Sequence, residues 1–405
     1  MNRKLMAVIL SGALAASIMT PFSAAAADDT ILLWVPEATQ TFTEQQIEAF
    51  KEANPDYAGY TYKVEPVGEG DAANNMLTDV EAGADLFNFA QDQLARLVSA
   101  MALTPASDED KGWITEQNDE NSVAAATLSD MVYAYPLTSD NGYFLYYDKS
   151  VVSDPSTLEG ILADCEAAGK GFYMEINSGW YQTAFFFATG AELSYETDTA
   201  GAFTSANVTY ASDEGVAALK AMIALAKSSA FNNGSSISNA TNVGAIVDGT
   251  WDSGAAKDLF GDNYACAKLP TFNVDGTDYQ MSGFGGFKLL GIKPQTDPDK
   301  LAACKALAKF LSSEEVQVAR YEAAGWGPSN KAAQQNEAVQ ADVALTALAE
   351  QLQYSIPQGQ YPNDYWTQAT ALGDSVIGGD YNDADDAALL EVLQNFQDTC
   401  IGYAG

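Results

Sequence analysis

Fifty-five Asp and Glu side chains and no histidine leave this chain a narrow range of reactive chemistry. Without an imidazole there is no Ser-His-Asp or Cys-His nucleophile system, no His-based zinc site and no usual acid–base group near neutral pH. Chemistry that carboxylates do alone stays open: a paired-carboxylate glycosidase, or a calcium-assisted lyase. The four cysteines, Cys165, Cys266, Cys304 and Cys400, are far apart and lack metal-ligand spacing. In an exported chain they could form two disulfides in any of three pairings, or stay as buried thiols. One other side chain stands out. In "GAIVDGTWDSG", residues 244–254, an apolar run ends in the polar turn Asp248-Gly249-Thr250, and Trp251 follows at the lip of a strand. Trp34 and Phe89 also sit near the carboxyl ends of apolar runs. Taken alone, such aromatics pack more often than they bind.

The elements that must hold these residues alternate. "TILLWV" is a continuous apolar run and reads as a buried strand. Thr43 and Gln46 in "TEQQIEAFKEANP" form a capping-box start, Ile47, Phe50 and Ala53 recur at helical spacing, and Pro55 follows the end. "YTYKVEPV" alternates as a second strand, "NNMLTDVEAG" reads as a helix ending at Gly83, and "ADLFNFA" is a third strand. This β-α-β-α-β opening is the pattern of a parallel sheet covered by helices, in which ligands bind beyond the carboxyl ends of the strands. "YAYPLTSDNGYFLYYDKSVV" then places two β-rich runs around a polar Ser-Asp-Asn-Gly break. A second α/β region follows, with an aromatic helix over 180–189 in which Phe185, Phe186 and Phe187 read as core, and the last hundred residues read as largely helical.

The 405 residues exceed one compact core, so two or so domains are expected. The first 27 residues carry Arg3 and Lys4, an apolar stretch from Leu5 to Met19, and small residues at Ala25-Ala26-Ala27, which reads as a secretory signal cut after Ala27. The expected location is therefore outside the membrane, periplasmic or at the cell surface. A formal charge of −36, from 19 basic against 55 acidic side chains, excludes nucleic acid and anionic membrane as partners and favours solubility.

The order of these features resembles the extracellular solute-binding proteins of ABC sugar importers, most closely the maltose/maltodextrin-binding group. Five stretches carry the resemblance: "LLWVPEATQTFTEQQIEAFKEANP", "GADLFNFAQDQLARLV", "YAYPLTSDNGYFLYYDKSVV", "VGAIVDGTW…AKLPTFNVDG" and "IPQGQYPNDYWTQATALGDSVIGG". It implies an α/β fold of two lobes, the periplasmic-binding-protein fold, with the ligand cleft between them. Lobe 1 would take 28–138 and 285–333, and lobe 2 would take 139–284 and 334–405.

It also implies site residues. Sugar rings offer a C–H face to aromatics and an equator of hydroxyls to polar side chains. Trp251 matches the family's tryptophan after this strand and turn, and Trp366 in "NDYWTQAT" its stacking tryptophan near a helix start, with Tyr365 beside it. Trp180 and Tyr181 fall at the family's aromatic pair, where Ser178-Gly179 replace an acid and a proline. Phe89 stands at a tryptophan position, and Asp92 matches the sugar-binding acid. Gln93 replaces a basic residue, and Gln91 an imidazole. Glu37 lies close to an acid–base pair whose lysine is absent, and Asp140 or Asn141 stands for the acid at the first crossing between lobes. Trp326 in "GWGPSN" could face the cleft without a family match.

The implied function is a non-catalytic receptor, a monomer that captures a maltodextrin-like oligosaccharide and passes it to ABC permease subunits, with no cofactor and no metal. The alternative is a secreted carbohydrate-active enzyme, a glycosidase or lyase, with two acids ~5–9.5 Å apart across a cleft. A third reading, an adhesion protein, would show an exposed apolar patch and no deep cleft.

Overall fold

The apolar run "TILLWV" forms the strand Thr30–Val35, one in from the edge of the first sheet, parallel to the edge strand Thr61–Pro66 on one side and to Leu86–Ala90 on the other. The computed structural model describes residues 29–405; the secretory leader read over 1–27 lies outside the described residues. The sheet continues from Leu86–Ala90 to the antiparallel strand Phe284–Ile292, which also pairs with Ala134–Asn141 and, at its start, with Ile356–Pro357. A second, five-stranded sheet runs Phe231–Asn232, Gly171–Tyr173, Val243–Gly249, Tyr143–Asp148, Tyr264–Ala267.

Two apolar cores follow from the two sheets. The first draws on residues between 31 and 137 and between 289 and 316. The second draws on residues between 143 and 284 and between 361 and 400. Strand Tyr143–Asp148 shows why the second sheet is covered on both faces: Tyr143 and Leu145 point into the larger core, while Phe144 and Tyr146 point into a small cluster with Phe260, Ala344 and Leu348. Three segments cross between the sheets, at 141–143, 284–286 and 356–358, side by side. The polar Ser-Asp-Asn stretch read as a break is the end of the crossing strand Ala134–Asn141, and only Gly142 separates it from Tyr143–Asp148.

Two helix boundaries differ from the sequence reading. The first helix spans Glu37–Ala53 and starts behind Pro36, well before Thr43. Thr43 is internal: its hydroxyl donates to Thr39 O at 2.7 Å, the back-bond that a mid-helix threonine makes in place of a cap. The second spans Glu69–Thr78 and stops at Asp79, whose carboxylate and carbonyl accept the turn up to Gly83. All four cysteines are free, and Cys165, Cys304 and Cys400 are buried. Among the described residues no helix is long and apolar enough to cross a membrane.

Candidate functional site

A cleft of about 650 Å³ opens between the sheets over the three crossings, within the size range of small-molecule sites. Strand Val243–Gly249 ends at its wall, and the short turn Thr250–Asp252 lifts Trp251 into it. The indole lies across Gly249, where a Cβ would stand 2.0 Å from the ring, so the glycine is what gives the ring its seat. The turn is anchored from below. Tyr146 OH donates to Gly249 O at 2.9 Å, Thr250 donates to the Asp140 carboxylate, and Gly249 N donates to Asp248 Oδ1 at 2.7 Å. Burial and the neighbouring Asp252 push the Asp248 carboxyl well above its usual range.

Trp180 begins the helix Gly179–Thr189, whose Ser178 side chain caps Trp180 N. Its ring meets Trp251 at 5.9 Å and Tyr143 edge-on at 4.7 Å, and its Nε1 donates to Gln358 Oε1 at 3.2 Å. Tyr181 reaches the same wall although only 5% exposed. Trp366 enters one turn into the helix Asn363–Gly378, 5.5 Å from the Tyr361 ring. Asp92 and Gln93 come from the turn after Leu86–Ala90, and Asn141 from the first crossing. Asp92 is 3% exposed; desolvation pushes its carboxyl up to about 7, against the opposing pull of Gln93 and Arg96.

Five residues named from the sequence lie elsewhere. Phe89 is fully buried in the first core beside Phe87, because strand alternation turns the neighbouring Ala90 to the cleft instead. Glu37 is exposed on its helix, while Pro36 and Ala38 on either side face the cleft. Gln91 is buried and donates to Gln358 O. Asp140 is 1% exposed and accepts from Thr250 and Gly327 N, so it braces the crossings. Tyr365 is a core residue whose hydroxyl donates to Gly179 O at 2.9 Å.

Lys288 is the residue that sequence reasoning missed. It is 5% exposed on the middle crossing strand and faces the cleft. Its ammonium lies 3.7 Å from the centre of the Trp326 ring, 5.0 Å from that of Trp251 and 3.5 Å from Glu69 Oε1. The signal was one lysine inside the apolar strand "FGGFKLLGI", since a buried charge needs partners. Trp326 lines the cleft, 2% exposed. Gln358 and Asp252 had no such signal. Among the described residues no group of three or more carboxylates or thiols is placed to hold a metal ion.

An aromatic trench between two α/β lobes, floored by three crossing segments, is the geometry on which family comparison bears. The family model of bacterial extracellular solute-binding proteins matches residues 45–347. The chain belongs to that family. Sugar-binding members of this kind are among its relatives. The maltotriose-binding protein of Pyrococcus abyssi is 22% identical over 371 residues, 87% of this chain and 80% of that one. The galactooligosaccharide-binding protein of Bacillus subtilis is 31% identical over 137 residues, a stretch covering 33% of this chain and only 31% of that relative. The solute-binding fold itself is matched by the solved Thermus thermophilus maltotriose binding protein with maltotriose, at a TM-score of 0.75, 19% identity, 92% of this chain and 100% of that one.

Proposed function

We propose that this solute-binding protein captures a maltodextrin-like oligosaccharide in the inter-lobe trench and delivers it to a membrane ABC permease, without chemical turnover. The observation that carries the reading is the convergence of Trp180, Trp251, Trp326 and Trp366 on one cleft, interleaved with Asp92, Gln93, Asn141, Lys288 and Gln358. Apolar faces and hydrogen-bonding groups alternate there as a sugar chain does. The relatives' ligands, maltotriose and galactooligosaccharide, point to the same class. The protein would act as an exported monomer outside the membrane, with lobes divided at 28–138 plus 285–333 and 139–284 plus 334–405, a division that the split of the apolar cores supports.

The carboxylate-pair enzyme finds less support. Glu69 is engaged by Lys288, Asp92 takes a hydrogen bond from Gln93 and Asp252 one from Ile237 N, so each acid facing the trench is held by a partner. The test is a thermal-shift screen against linear malto-, galacto-, cello- and xylo-oligosaccharides. A ligand that binds only the folded state raises the melting temperature in proportion to the logarithm of its concentration above Kd. The expected result is a dose-dependent rise with a malto-oligosaccharide and intact sugar recovered after incubation. No shift with any sugar would remove the reading; released shorter sugars would revive the enzyme.

A further inference from the structure

The trench is bounded differently at its two ends. Its floor is the row of crossings, with residues 284–286 in the middle, Asn141 along one edge and Ile356–Pro357 along the other. The trench therefore runs across that row, from Trp326 beside the first crossing to Trp366 beyond the third. Past the third crossing the lobes touch. Gln360 Nε2 donates to Gln91 O at 2.8 Å, and Gln360 Oε1 accepts from Ala95 N at 2.8 Å.

The carbonyl of the same Ala95 meets the other lobe. Strands Leu193–Thr197 and Phe203–Val208 form a hairpin whose tip carries Gly201. A Cβ at Gly201 would stand 2.0 Å from Ala95 O, and its φ of +86° is one that L side chains rarely adopt. The hairpin root is tied to the trench wall: Tyr361 OH donates to Leu193 O at 3.1 Å, and the Tyr361 ring lies 5.8 Å from Tyr195 and 5.5 Å from Trp366. On the trench side of this contact Arg96 donates to Asn74 at 2.9 Å and to Gln93, which both line the cleft.

We infer that the trench is blind at its Trp366 end, so that the protein recognises the terminus of a non-anionic oligosaccharide rather than its middle, with the Gly201 hairpin tip as the element that sets this. The inference rests on the oligosaccharide reading. Where two lobes are in atomic contact no chain can pass between them, so a bound chain stops over Trp366 and extends only toward Trp326. The ligand carries no anionic group because the lining carboxylates Glu69, Asp92 and Asp252 face one cation, Lys288, already paired with Glu69. A cyclic glucan has no terminus to present.

The test compares calorimetric affinities for maltohexaose and for α-cyclodextrin, which has the same number of glucose units. Wild type should hold the linear sugar about tenfold tighter or more. Replacing residues 199–201 by a two-residue Asn-Gly turn should bring that ratio toward one. Gly201→Ala, which drives the tip off Ala95 with the hairpin length kept, should shift it the same way, and cooperative melting shows that each variant folds. Equal wild-type affinity for the two sugars, or an unchanged ratio in a folded variant, overturns the blind end while leaving sugar capture in place. No binding of any linear oligosaccharide by wild type overturns sugar capture and this inference together.

Discussion

Trp251 stays half-buried at the trench wall because what lies beneath it denies it a core position. Trp251 cannot sink, since Gly249 and the buried Asp248 network fill the space under the turn. Buried aromatic anchors dominate binding energies, so Trp251→Ala and Trp366→Ala should each weaken sugar affinity by ~1–3 kcal/mol. Calorimetry on both variants checks this, and two unchanged affinities would strip these residues of their role. Asp92 supplies a second residue-scale test. Its folded carboxyl titrates at about 7, above the unfolded value near ~3.9, so the folded state holds the proton more tightly. The contribution of Asp92 to stability is therefore greatest below about pH 4 and falls as pH rises to about 7. Melting curves of wild type and Asp92→Asn across that window should show wild type losing ground to the variant by on the order of a few kcal/mol, with no further change above it. A constant difference would mean that Asp92 is not desolvated.

At the scale of elements, the trench depends on how closely the helices bearing Trp180 and Trp366 approach. Asn363–Gly378 packs against Gly179–Thr189 and the turn leading into it, where a glycine permits the approach: a Cβ at Gly373 would stand 2.4 Å from Asn177 Cα and 2.4 Å from Ile176 O. These are backbone atoms that cannot swing aside. Gly373→Val should lower stability by about 1–3 kcal/mol through overpacking and also weaken sugar binding, because it pushes Trp366 away from Trp180. Urea unfolding together with calorimetry would separate the two effects, and a variant with lowered stability but wild-type affinity would show that the helix spacing does not set the trench. The same elements show what could be read early. The strands Thr30–Val35, Leu86–Ala90 and Val243–Gly249 were legible from apolar runs, whereas the start of the first helix was not. Three threonines spaced along 39–43 imitate a cap, and nothing local shows that Pro36 already precedes the first turn.

For the whole molecule, three side-by-side crossings between two separate cores make a hinge the natural degree of freedom. Adding a saturating oligosaccharide should lower the radius of gyration in small-angle scattering by drawing the lobes together. An unchanged profile at saturation would mean that the trench fills without closure.

The chain by itself determined the elements, their order, the aromatics at strand ends and helix starts, and the missing histidine, because periodicity and composition are local properties. The family resemblance, not residue type alone, put Asp92, Gln93, Asn141, Trp180, Tyr181, Trp251 and Trp366 at the cleft that they line. Only the tertiary structure decided which neighbour in each pair faces the gap: Ala90 rather than Phe89, Asn141 rather than Asp140, Trp366 rather than Tyr365. It also brought Lys288 between two indoles from distant segments, and Gly201 against Ala95. The reason is physical. A one-residue step turns a side chain to the opposite face of a strand, and contacts between residues far apart in the chain leave no trace in local pattern.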